Sequence, residues 1–170
     1  MWGHLARRFF GSLRPGGPKR VDDEWARAQM LPSEVALWVR MSGPDRRHAA
    51  GVARDVERAL GHEATRPVLA AALLHDVGKV ESGLRTYGRV IATLCGLIVS
   101  REQARDWVRG SGFTRRVGLY LRHPDLGGDM LAMAGSDALT ERWAREHHKP
   151  ADQWTIDAHL ARVLKDCDDD

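Results

Sequence analysis

The stretch AALLHDVGKV, residues 71–80, runs an apolar series straight into His75 and Asp76, with Gly78 and Lys79 directly after. An imidazole beside a carboxylate can move protons or hold a metal ion. The chain has eight histidines, and several of them continue apolar helical stripes. His48 lies in line with Val52, Val56 and Ala59, and His75 in line with Val68 and Ala71. Asp76 follows Leu69 and Leu73, His147 extends Leu139 and Trp143, and Asp168 continues Ala161 and Leu164. His123 closes VGLYLRH just before Pro124, a residue suited to the first turn of a helix. His4, His62 and His159 keep no such company.

Burying one such group without a partner costs on the order of 2–7 kcal/mol. Six inward groups (His48, His75, Asp76, His123, His147 and Asp168) either make separate internal hydrogen bonds or converge on metal. Convergence accounts for all six together. Successive helix positions point ~100° apart, so His75 can bind one ion while the Asp76 carboxylate bridges to a second, ~3.5–4 Å away. Nitrogen and oxygen donors without thiolate suit Fe, Mn, Co, Ni or Zn better than Ca or Mg.

The elements that must position these groups read as helices throughout. Strand-like alternation is absent, and short Gly, Pro and Ser breaks separate helices of ~8 to 17 residues. Periodic segments fall at 31–41, 45–60, 65–76, 86–99, 102–109, 113–122, 124–133, 137–148 and about 152–168, with Thr65 as an N-cap and Gly78 as a stop. The expected fold is an all-α globule of about eight helices spanning 21–170, with residues 1–20 as an appendage. In that appendage Trp2, Leu5, Phe9 and Leu13 recur at helical spacing among Arg7 and Arg8, no acidic residue occurs, and the breakers RPGGPKR (14–20) follow. Residues 2–13 therefore suit a peripheral membrane or protein contact, or docking on the chain's own domain.

At 170 residues the chain fits one domain with a real core. A formal charge of +3, with pI about 9.2, is too weak a bias to predict DNA binding. Cys95 and Cys167 form no C-x-x-C and read as buried thiols in a reducing compartment. The longest apolar run, VIATLCGLIV (90–99), has the length of a core helix rather than of a membrane span. With no secretory h-region in view, a cytoplasmic location is expected.

Over residues 32–170 the chain resembles the HD-domain metal-dependent phosphohydrolases, whose ordered signature is H…HD…D. The matching stretches are His48 in DRRHAAGVA, His75-Asp76 in ALLHDVGK and Asp168 in VLKDCDDD, where Asp166, Asp169 and Asp170 are rivals for the last place. HPDLGGDML (123–131) and EHHKP (146–150) are similar to the HPE-type element and the vicinal His pair of the HD-GYP-like and HDOD-like branch. The resemblance implies that His48, His75, Asp76 and Asp168 hold one ion, and that Asp76, His123 and His147 hold a second, with His148 as a further ligand. It implies two divalent transition-metal ions, Fe or Mn ahead of Zn, Co or Ni, and a metal-activated hydroxide attacking a phosphorylated small molecule or nucleotide. Lys79 would stabilise transition-state charge or the leaving group, or else is an exposed lysine favoured at a helix C-terminus, with Asp76 as the central catalytic carboxylate. Arg46, Arg47, Arg85 and Arg122 lie near the motifs with forked donors that suit phosphate, but among 22 arginines none is singled out as a substrate clamp. Where the HD-GYP proteins carry Gly-Tyr-Pro this chain reads KPADQWT, which argues against cyclic di-GMP cleavage. Two other classes stay open: a non-catalytic HD module that binds a nucleotide or protein, and an HD-fold di-iron oxygenase.

Overall fold

The segment Arg66–Leu74 buries every residue from Val68 to Leu74, and a helix that is apolar on all sides is stable only inside. The rest of the architecture is built around it. The computed structural model describes residues 16–84 and 86–169, and all regular structure among them is helical. In order these are α1 (Arg20–Ala28), α2 (Pro32–Trp38), α3 (Gly43–Leu60), α4 (Arg66–Leu74), α5 (Thr86–Gly96), α6 (Arg101–Arg109), α7 (Gly112–Leu121), α8 (His123–Met133), α9 (Ala138–Glu146) and α10 (Ala158–Asp169). Three 3-10 turns, η1 (Gly61–Glu63), η2 (Val77–Ser82) and η3 (Ala151–Gln153), join them. There are thus ten α-helices among the described residues where the sequence suggests about eight. The amphipathic stretch expected at 2–13 lies outside the described residues.

Helix α4 packs between α3 and α9, and α10 lies across α3. The main core gathers Trp38, Val56, Leu73, Leu74, Leu131, Trp143 and Leu164 from helices on every side of α4. A second, much smaller core of Leu84, Ala92 and Val117 holds α5 to α7. Local signals set several ends. Ser42 accepts from the Asp45 N–H at the start of α3, and Gly61, at φ +56°, closes that helix. Ser100 and Gln103 form a capping box on α6, and Asp137 caps α9. Thr65 occupies the N-cap position of α4, but its side chain makes no capping bond.

Several boundaries and burials differ from the sequence reading. Helix α4 stops at Leu74 rather than running to Gly78, because the chain tightens into η2 with the Lys79 N–H bonded to the Asp76 carbonyl at 3.0 Å. Gly78 serves a different purpose: a Cβ there would sit 2.0 Å from the His123 carbonyl oxygen and 2.6 Å from the Gly127 nitrogen. The last helix begins at Ala158, not near 152, and α9 ends at Glu146. In both cases the buried Glu146 carboxylate intervenes, accepting from Thr155 N–H and Oγ1–H at 2.7 Å each. The apolar run at 90–99 forms α5 and the turn after it, but one face is open to solvent at Ile91, Leu94, Leu97 and Ile98. Cys95 and Cys167 are half-buried rather than buried. No helix among the described residues is long and apolar enough to cross a membrane.

Candidate metal centre

The groups singled out in the sequence converge where α3, α4, α8, α9 and α10 meet. His48 comes from the first turns of α3, His75 and Asp76 from the junction of α4 and η2, and His123 from the first residue of α8. His147 and His148 follow the last turn of α9, and Asp168 stands near the end of α10. His75, Asp76, His123, His147 and Asp168 are all buried, whereas His48 is half-buried and His148 exposed. Asp166 and Asp169 face solvent; Asp170 lies outside the described residues. His62 and His159 are exposed, away from the cluster.

Asp76 divides the cluster. Its Oδ1 lies 3.2 Å from His123 Nε2 and 3.6 Å from His147 Nε2. Its Oδ2 lies 3.3 Å from His75 Nε2 and receives the Lys79 ammonium. Asp168 Oδ1 is 2.9 Å from His48 Nε2 and 3.6 Å from His75 Nε2. Two sets of ligand atoms result, Asp76 with His123, His147 and His148, and His48 with His75 and Asp168, each set within 4.8 Å of one another. Donor atoms ~2.1 Å from a shared ion stand ~3–4 Å apart, and the contacts measured around Asp76 fall in that interval. These buried His and Asp groups could hold a metal ion.

Protonation of the rings is set locally. His75 Nδ1–H donates to the Ala72 carbonyl at 2.9 Å, His123 Nδ1–H to Tyr120 at 2.7 Å, and His147 Nδ1–H to Ala144 at 2.9 Å. Each carbonyl lies three residues upstream in the last turn of α4, α7 or α9, where helix termination leaves oxygens in need of donors. A neutral imidazole that donates from Nδ1 presents a bare lone pair at Nε2, the arrangement that orients metal-binding histidines. Nε2 of His75, His123 and His147, and Asp76 Oδ1, are buried without any hydrogen-bond partner. Each orphaned atom costs about 1–3 kcal/mol. Where a ring is neutral, lone pair faces lone pair across Asp76. Such contacts turn favourable when a metal cation or a proton stands between them.

Charge follows the same geometry. Burial works to raise the Asp76 carboxyl, but the Lys79 ammonium and the His75 ring outweigh it and hold it well below the usual carboxylate range. Burial works to lower His75, yet the Asp76 and Asp168 carboxylates win and raise it to about 9. Lys79 is raised despite its burial, chiefly by Asp76. His147 goes the other way: burial dominates and pushes it down to about 4. The His148 ring, 4.0 Å from that of His147, is also pushed down, by desolvation and then by His147 and His123, although the residue as a whole is exposed.

The arginines near the motifs are mostly engaged elsewhere, as expected of ordinary surface residues. Arg46 bonds Asp23 and Arg47 donates to the Gly16 carbonyl, while Arg85 lies outside the described residues. Arg122, beside His123, keeps its Nε buried without a hydrogen bond. Two supporting features had no local signal in the sequence. One is the crossing of Gly78 over Gly127, whose Cβ position lies 3.1 Å from the Gly78 nitrogen. The other is the Glu146–Thr155 clamp just before the His pair. No family model, curated protein or solved structure matches this chain. The site's own geometry must therefore carry the functional reading.

Proposed function

We propose that the protein is a metal-dependent phosphohydrolase of the HD-domain type, acting on a phosphoester or nucleotide with two divalent transition-metal ions, iron or manganese before zinc, cobalt or nickel. The observation that supports it most is the set of unpartnered Nε2 atoms aimed at the Asp76 carboxylate. In this reading His48, His75, Asp76 and Asp168 hold one ion, and Asp76, His123 and His147 the other, with His148 at its open side. When bound, the ions supply an acidified water near neutral pH and neutralise phosphoryl oxygens.

The chain's own groups do the rest. Asp76 offers one oxygen to each set and so fixes the spacing between them. Lys79, 16 % exposed and seated on Asp76 Oδ2, is placed to meet a phosphoryl oxygen and hold its developing charge. The Nδ1–H bonds to Ala72, Tyr120 and Ala144 keep the three rings turned inward through turnover.

Metal content by mass spectrometry, on wild type and Asp76→Ala, is measured beside hydrolysis of a chromogenic phosphodiester and a nucleotide panel. Close to two transition-metal ions per chain, lost in the variant together with phosphate or nucleotide release, is the expected result. Absence of bound metal after anaerobic reconstitution with iron or manganese would sink the reading. Metal without hydrolysis points to a binding module, and oxygen consumption without phosphate release to an oxygenase.

A further inference from the structure

One face of α5 and of the turn that follows it is apolar yet open to solvent. Ile91, Leu94 and Ile98 recur at i, i+3 and i+7, with Leu97 beside them, and they are 49 %, 59 %, 84 % and, for Leu97, 78 % exposed. The opposite face of the helix is the one that packs, through Ala92 and Cys95, onto Val117 and Leu121 of α7. A stripe of four large aliphatic side chains on one exposed turn-and-helix surface marks an interaction site more often than chance.

Charge narrows what could cover it. Residues 85–122, which contain α5, α6 and α7, carry eight arginines against two carboxylates, a net of +6. Residues 1–20 add five basic side chains and no acidic one. The remainder of the chain, which holds the candidate metal centre, has thirteen basic and twenty-one acidic side chains and is net −8. The modest overall charge therefore hides a strong polarity. Arg105, Arg109 and Arg115 are exposed on α6 and α7, and of these Arg109 is paired, with Asp106.

We propose that the α5–α7 unit is a membrane-docking surface for anionic lipid, with Ile91, Leu94, Leu97 and Ile98 entering the acyl boundary and the exposed Arg105, Arg109 and Arg115 of the same unit meeting phosphate headgroups. Apolar insertion combined with basic attraction is the physical recipe for a peripheral contact. The same charge distribution disfavours the two other occupants. A second copy of the chain would bring one basic unit against another, a clash that remains after the Arg89–Asp45 and Arg122–Asp125 pairs are discounted. The chain's own residues 1–20 would bring five further positive charges onto the same unit. An anionic bilayer attracts basic segments of either kind, and Trp2, Leu5, Phe9 and Leu13 give residues 1–20 apolar side chains of their own.

The test uses the full-length protein and vesicle co-sedimentation. Vesicles of phosphatidylcholine alone are compared with vesicles carrying about one-third phosphatidylglycerol, at roughly 0.1 M and 0.5 M salt. Binding to the anionic vesicles only, weakened by salt and reduced about tenfold or more by Leu94→Glu with Ile98→Glu, is expected. Met133→Glu, another exposed apolar position on α8, should leave binding unchanged, and circular dichroism should show both variants folded. No binding to anionic vesicles overturns the proposal. So does binding that survives the α5 double variant but is lost with Arg7→Glu and Arg8→Glu, since the N-terminal segment would then suffice. A concentration-dependent dimer abolished by Leu94→Glu with Ile98→Glu would assign the face to a second copy instead.

Discussion

His75 and His147 are both buried imidazoles within one cluster, their ring centroids 5.1 Å apart, yet they titrate in opposite directions. His75 is raised to about 9 because two carboxylates face it, so its contribution to stability is complete below the unfolded value of 6.5 and is lost as pH climbs through 9. His147 is lowered to about 4, so its contribution is complete above 6.5 and is lost as pH falls through 4. Metal-free protein should therefore be most stable near pH 6.5, losing stability on the alkaline flank through His75 and on the acid flank through His147 together with the lowered His148. Urea denaturation in chelator across this range measures the dome, and a curve that simply rises from pH 6 to 9 would contradict it. A proton on His75 also competes with any ion for Nε2. Metal affinity should rise with pH up to about 9, and calorimetry in two buffers should register the released proton. Much of this was legible in the sequence, because Asp76, His147 and Asp168 ride on stripes whose period is that of a helix. What the stripes could not tell was that the three ring anchors are carbonyls three residues back, or that His148 ends exposed beside a buried His147.

Among the elements, η2 does the positioning that the sequence assigns to a continued α4. Its Gly78 looks like an ordinary helix stop, since glycine after an apolar helix usually is one. The real constraint is distant in sequence: the backbone of α8 passes so close that a methyl group at 78 would meet His123 O and Gly127 N. Neither atom belongs to a flexible side chain, so the elements themselves must part. Gly78→Ala is expected to cost about 2–4 kcal/mol, to displace His123 from Asp76, and to reduce bound metal. Gly51→Ala, in open space on α3, is the control and should be neutral or slightly stabilising. Equal melting temperatures for the two variants would show that the crossing tolerates a side chain. The start of α10 escaped the sequence for a similar reason: Thr155 is captured by Glu146, nine residues earlier, and no local pattern encodes that bond. The open face of α5, whose apolar run has the length of a core helix, escaped differently. Periodicity reports which faces are apolar, not whether anything covers them.

The whole molecule has two unequal cores. Among the described residues the larger surrounds α4 and joins α1–α4 to α8–α10, while the smaller has only Leu84, Ala92 and Val117 buried at its centre, with Cys95, Trp107, Tyr120 and Leu121 half-buried against them. Opening of α5–α7 should therefore cost far less than global unfolding. Hydrogen exchange is expected to show amides of α5 and α6 exchanging orders of magnitude faster than those of α4, and added manganese should slow α4 and α9 while leaving α5 and α6 nearly unchanged. Uniform protection across all ten helices would argue for one cooperative unit instead. The contact between His48 and Asp168 joins positions 120 residues apart, and that separation bears on how the protein comes into being. A chain must close nearly its whole described length before the first candidate ligand meets the last, and such long closures are made late in folding. Any ion that requires both residues arrives as a clasp on a finished topology, not as a seed around which helices gather. Metal uptake would then keep time with the slowest step of assembly, and a kinetic trace of it would be a clock for folding itself.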